Sequence, residues 1–160
     1  MIDFERLFQA LDGSGVELII VGGFAATLHG ASRLTQDLDL VYARDPDNLK
    51  RIVAALAPFR PYPRGAPPGL PFLWDAETLR RGLNFTLTTA LGDIDLLGEI
   101  TEGGRYEDLL PHSHLIQVFG AEFRYLRLRR LIEVKRAAGR PKDFEAIAEL
   151  EKLLEERGDS

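Results

Sequence analysis

The sequence predicts an α/β (α+β) chain: a small mixed β-sheet with helices packed against it and a C-terminal helical pair. Three observations predict it. Residues 16–42 read as an apolar strand, a glycine pair, a short helix and a second strand. Residues 83–97 alternate apolar and polar positions around Gly92, the pattern of a hairpin. From about residue 127 onward, two apolar stripes at helical spacing are separated by Gly139 and Pro141.

Taken in order, Asp3 caps a first helix with Phe4, Leu7, Phe8 and Leu11 on one face, and Gly13 to Gly15 break it. Val16 to Val21 is too short and too continuously apolar for a surface helix, so it reads as a buried strand. Gly23 to Leu28 is helical and ends near Gly30, and Asp37 to Tyr42 is the next strand. Asp45-Pro46-Asp47-Asn48 starts a helix with Leu49, Ile52, Val53 and Leu56 inward, and Pro58 ends it. Pro58 to Pro71 holds six prolines and two glycines, which makes it a loop of the kind that is more often functional or mobile than core. A short helix over Trp74 to Arg81 precedes the hairpin, with strands at Leu83 to Thr89 and Ile94 to Leu97 and a turn at Ala90 to Asp93. A helical turn at Tyr106 to Leu110, a strand at His114 to Phe119 and an extended piece at Glu122 to Tyr125 complete the run to the helical pair.

A chain of 160 residues fits one domain, residues 1–160, and a fold of this size buries about 70% of its unfolded surface. No apolar run approaches the roughly 20 residues of a membrane span, and the acidic, helical N-terminus is unlike a signal peptide, so a cytoplasmic protein without a membrane role is expected. The absence of cysteine excludes a disulfide framework, a thiol nucleophile and a cysteine-based zinc site. His29, His112 and His114 have no metal-ligand spacing, and His29 reads as a packed or capping residue. A net charge of -5 argues against a general nucleic-acid binder. Yet Arg124 to Lys142 carries eight basic residues against Glu133 alone, which suits an anionic ligand.

The chemistry concentrates between Val21 and Tyr42. Asp37 and Asp39 are separated by one leucine, so on a strand they share a face while Leu38 and Leu40 take the other. Two adjacent carboxylates near a buried face need a cation or a retained proton, and a hard divalent ion such as Mg²⁺ is the simpler partner. Gly22 and Gly23 end the apolar strand and open a helix, where backbone amides face an anion. Asp95, set between Ile94 and Leu96 on the returning hairpin strand, supplies a third acid once the strands adjoin. Asp93 shares its parity but, next to Gly92, reads as the turn residue. Three carboxylates around one or two Mg²⁺ ions serve an in-line displacement at phosphorus.

The ordered set Val21-Gly22-Gly23, Asp37-Leu38-Asp39-Leu40 and Ile94-Asp95-Leu96 resembles the nucleotidyltransferases of the DNA polymerase β-like superfamily. It is most similar to small stand-alone bacterial and archaeal members, some of them halves of toxin-antitoxin pairs. The segment Lys135-Arg136-Ala137-Ala138-Gly139-Arg140-Pro141-Lys142-Asp143 adds to the likeness, which spans roughly residues 16 to 152. The resemblance implies transfer of a nucleoside monophosphate from a nucleoside triphosphate (NTP) to a hydroxyl acceptor, with release of pyrophosphate. By that analogy Asp37, Asp39 and Asp95 are the catalytic and metal-binding acids, with Mg²⁺ (or Mn²⁺) as cofactor, and Gly22 and Gly23 hold the triphosphate. Arg33 and Thr35 are further phosphate contacts, and Lys135, Arg140 and Lys142 meet the leaving pyrophosphate. The acceptor is left open among a protein hydroxyl, a transfer-RNA end and a small molecule. A second reading is a regulatory protein of the same fold with a protein partner, and a third is a metal-dependent phosphohydrolase. Tyr42 and Trp74 are the aromatics available to stack on a base.

Overall fold

The computed structural model describes residues 2–32 and 35–158. Asp3 caps helix α1 (Phe4–Gly13) by accepting from the Arg6 amide at 3.1 Å. Strand β1 (Leu18–Val21) runs straight into α2 (Gly22–Leu28), and β2 (Asp37–Tyr42) returns antiparallel to β1. Helix α3 (Pro46–Leu56) begins with Asp45 accepting from the Asn48 amide and Pro46 in the first turn. A two-residue strand β3 (Tyr62–Pro63) lies within the proline-rich segment, followed by α4 (Ala76–Arg81). The hairpin is β4 (Asn84–Thr89) and β5 (Gly92–Leu97). After α5 (Tyr106–Leu109) comes a second hairpin, β6 (Ser113–Val118) and β7 (Ala121–Leu126). Helices α6 (Leu128–Ala138) and α7 (Phe144–Arg157) form the C-terminal pair.

Among the described residues, seven strands make one mixed sheet in the order β3-β4-β5-β2-β1-β7-β6. The joins of β2 to β5 and of β1 to β7 are parallel; the others are antiparallel. Leu38, Leu40, Ile94 and Leu96 are buried in the core while the aspartates between them stay half-buried, so alternation assigns the faces of the two central strands. Phe8 of α1 meets Phe24, Phe119 and Phe123 at ring separations of 5.1, 6.0 and 4.9 Å, pinning α1 to α2 and the second hairpin. Full burial of Phe8, or of a core leucine such as Leu38, contributes about 2–3 kcal/mol before the entropic cost of ordering. Asn48 closes the core beneath α3: its side-chain oxygen accepts from the Glu17 amide at 2.7 Å, and its amide donates to the Glu17 and Ala43 carbonyls at 3.0 and 2.7 Å. Gly139 ends α6 in the left-handed region at φ 64°, as expected of a glycine stop.

Several expectations shift. The first strand starts at Leu18 rather than Val16, and the extended piece at residues 122–125 is a full hairpin strand. The segment from Pro58 to Pro71 is not loop throughout: Tyr62 and Pro63 pair with Thr88 and Leu87 at the sheet edge, where proline's missing N–H is tolerated. Pairing of Thr89 with Gly92 leaves Ala90 and Leu91 as the turn, so Asp93 lies within β5 and is not a turn residue.

Candidate active site

The parallel register of β2 and β5 sets Asp37 opposite Asp93 and Asp39 opposite Asp95. All four have the same parity and share one sheet face. Oxygens of Asp37, Asp39 and Asp95 lie within 4.8 Å of one another, a spacing that can hold a metal ion. Burial, reinforced by the charges of Asp37 and Asp95, pushes the Asp39 carboxyl up to about 8, with Lys135 opposing the rise. Asp37 is raised as well, by burial first and by Asp95 second, with Arg64 opposing. Asp39 Oδ1 is buried with no hydrogen-bond partner. An orphaned carboxylate oxygen aimed into a cluster of oxygen donors fits a hard divalent cation.

Gly22 is demanded twice by this arrangement. It sits at φ 66°, and a Cβ there would fall 2.1 Å from Asp39 Oδ2. Gly23 would place a Cβ 2.8 Å from Thr35 Oγ1, and that hydroxyl donates to the Asp37 carbonyl at 2.8 Å. The glycine pair therefore lets the first turn of α2 close onto the two residues that frame the acidic strand.

These residues floor a cleft of about 570 Å³, whose opposite wall carries Lys135, Arg140, Lys142 and Asp143. Lys135 is buried, with Nζ 3.9 Å from Asp143 Oδ1, and burial lowers its pKa while Asp143 raises it. Asp143 also accepts from Arg140 Nε at 2.7 Å. Thus Gly22, Gly23, Thr35, Asp37, Asp39, Asp95, Lys135 and Lys142 are gathered in one cleft, and Arg33 lies outside the described residues.

The aromatics do not join them. Tyr42 is fully buried, with its hydroxyl donating to the Leu83 carbonyl at 2.8 Å, so it presents no ring to a base. Trp74 packs near Phe72 and donates to the Val53 carbonyl at 3.0 Å. His29 is a packed residue: it closes α2, and its Nε2 donates to the Leu126 carbonyl at 2.7 Å. Burial lowers its pKa, with that hydrogen bond opposing.

Sequence reasoning missed Arg64. Its amide donates to the Thr86 carbonyl at 2.9 Å, extending the β3–β4 pairing and fixing the side chain's origin. Nη2 donates to Asp95 Oδ1 at 2.7 Å and to the Leu87 carbonyl at 2.8 Å. Nη1 lies 4.0 Å from Asp37 Oδ2, and Nε lies 3.3 Å from Asp93 Oδ2 without the alignment of a hydrogen bond. The only prior signal was its place in the proline-rich segment.

Seven mixed strands, helices on the sheet and a C-terminal helical pair define the class of fold shared with a solved candidate nucleotidyltransferase. That structure, from Thermotoga maritima, superposes with a TM-score of 0.58 at 16% identity, covering 98% of this chain and 96% of that one. The likeness establishes the fold. The chain matches no protein-family model and no curated protein.

Proposed function

We propose that the protein is a metal-dependent nucleotidyltransferase that moves a nucleoside monophosphate from an NTP to a hydroxyl acceptor, with pyrophosphate leaving. The observation that carries it is the convergence of Asp37, Asp39 and Asp95 at the floor of a cleft whose far wall is basic. Asp37, Asp39 and Asp95 would hold Mg²⁺ (or Mn²⁺), which, when bound, stabilises negative charge on the attacking and leaving oxygens. Asp95, at the end of the cluster nearest Arg64, accepts the proton of the acceptor hydroxyl. Gly22 and Gly23 admit the triphosphate by offering no side chain between it and the acids. Lys135 and Lys142, with Arg140, neutralise the departing pyrophosphate. A protein hydroxyl, a transfer-RNA end or a small molecule serves as acceptor, and the enzyme works in the cytoplasm as one domain.

The test follows two labels. With α-labelled triphosphate and fractionated cell extract, wild type moves label onto an acceptor and releases pyrophosphate, and an Asp37→Asn, Asp39→Asn double variant does not. Release of free phosphate from γ-labelled triphosphate with no transfer of α-label would make the protein a phosphohydrolase instead. A second reading, a regulatory protein of this fold such as one half of a toxin-antitoxin pair, is favoured by one observation: Arg64 already pairs with the acid cluster. Tight binding of a protein partner without label transfer would select it.

A further inference from the structure

Arg64 lies beside three aspartates: its guanidinium holds Asp95 and approaches Asp37, two of the carboxylates that metal loading would claim, and it also approaches Asp93. Nη2 takes Asp95 Oδ1 at 2.7 Å, the shortest ion pair in the cluster, while Nη1 stays 4.0 Å from Asp37 Oδ2 and the misaligned approach to Asp93 leaves Nε without a hydrogen bond. The remaining anchors are the Leu87 carbonyl at 2.8 Å and the Ile94 carbonyl at 3.3 Å, both on the hairpin that carries Asp95. The pairing is therefore local: one cation is shared by three carboxylates and satisfies only one of them well. Asp39 receives nothing from it, since its Oδ1 is unpartnered.

From this we propose that Arg64 is the protein's own competitor for the metal: it occupies Asp95 and approaches Asp37, and it must leave Asp95 before a divalent ion can use all three acids. The proposal rests on the metal site put forward above. Position supports it. The short β3–β4 pairing holds the backbone of Arg64 beside β4, so the guanidinium reaches the cluster from the β3 edge of the sheet. Its side chain is 30% exposed and already lines the cleft, so a guanidinium that lets go of Asp95 stays within reach of a ligand there. An arginine released there meets phosphate with a planar, two-pronged donor set, for which it is better suited than lysine. Arg64 thus lowers the affinity of the acids for a lone ion, and an anionic ligand that draws it off raises that affinity.

Titration of the full chain with Mn²⁺ alone, followed by calorimetry and by the loss of the free-ion electron paramagnetic resonance signal, tests this without turnover. Arg64→Ala and Arg64→Gln each bind Mn²⁺ roughly tenfold more tightly than wild type, the equivalent of one charge-assisted hydrogen bond removed from competition. Arg64→Gln keeps a donor for the Leu87 carbonyl, and far-ultraviolet circular dichroism with the fluorescence of Trp74 reports that each variant is folded. A structural role alone would leave the affinity unchanged or weaken it. Equal or weaker Mn²⁺ binding by both folded variants, with wild type still binding, would overturn the role of Arg64 and leave the metal site standing. Binding by none of them above the Asp37→Asn, Asp39→Asn variant would overturn the metal site and the competitor together.

Discussion

Gly22 and Asp39 are in mutual steric dependence: the space a Cβ would need on Gly22 is taken by the Asp39 carboxylate, 2.1 Å away. The chain brings the glycine turn and the acid together without any intervening side chain. Gly22→Ala combines this clash with a left-handed backbone that costs an L-residue about 1–2 kcal/mol. We expect the variant to lose about 2 kcal/mol or more in urea unfolding, with Mn²⁺ binding weakened in parallel as Asp39 is pushed from its place. Unchanged stability would mean that the turn relaxes at no cost.

Asp39 makes the metal-free protein sensitive to pH. Its folded pKa of about 8 stands above the unfolded carboxylate value of about 4, so the folded state binds the extra proton between them. The stability it contributes is fully present below the unfolded value and is lost as pH rises through about 8, and Asp37 adds to the loss with the same sign. Urea midpoints of the metal-free protein should fall from pH 5.5 to pH 8.5, and Asp39→Asn should flatten that slope.

The four aspartates on the sheet are not equivalent. Asp37, Asp39 and Asp95 close on one point, whereas Asp93, opposite Asp37 in the register, stays outside that group and faces Arg64 Nε. Asn in place of any of the first three should weaken Mn²⁺ binding roughly tenfold or more, and Asp93→Asn should change it less than about threefold. Calorimetry on the four single variants reads the difference directly.

Asp143 holds the basic wall in place. It is nearly buried and faces both Lys135 and Arg140, so its removal leaves a buried ammonium without its counter-charge. Asp143→Ala should cost roughly 3 kcal/mol. Lys135→Met, which keeps the packed stem and leaves Arg140 on Asp143, should cost less while weakening triphosphate binding. Chemical denaturation of both variants ranks them.

Much of this was legible in local pattern. The parity of Asp37 and Asp39, the apolar strand before Gly22-Gly23 and the glycine stop at residue 139 are short-range features, and each sits as its pattern requires. What was not legible is long-range. Nothing in residues 84–97 says that β5 lies parallel to β2, and that register alone turns Asp95 into a neighbour of Asp39. Asp93 was misread because a two-residue turn at Ala90-Leu91 is tighter than the composition suggests, with Leu91 turned into the core. Arg64 was hidden because prolines mask a two-residue edge strand. Asn48 looked like a helix-start residue, although it also ties two backbone segments whose loss of partners would cost about 1–3 kcal/mol per group.

Binding of triphosphate and metal at the acid cluster is tested most directly by isothermal titration of the protein with each of the four NTPs in the presence of Mg²⁺. Wild type should bind at least one of them with a defined stoichiometry, and the Asp37→Asn, Asp39→Asn variant, folded by circular dichroism, should lose that binding. Wild type binding no better than the double variant across all four nucleotides would contradict it.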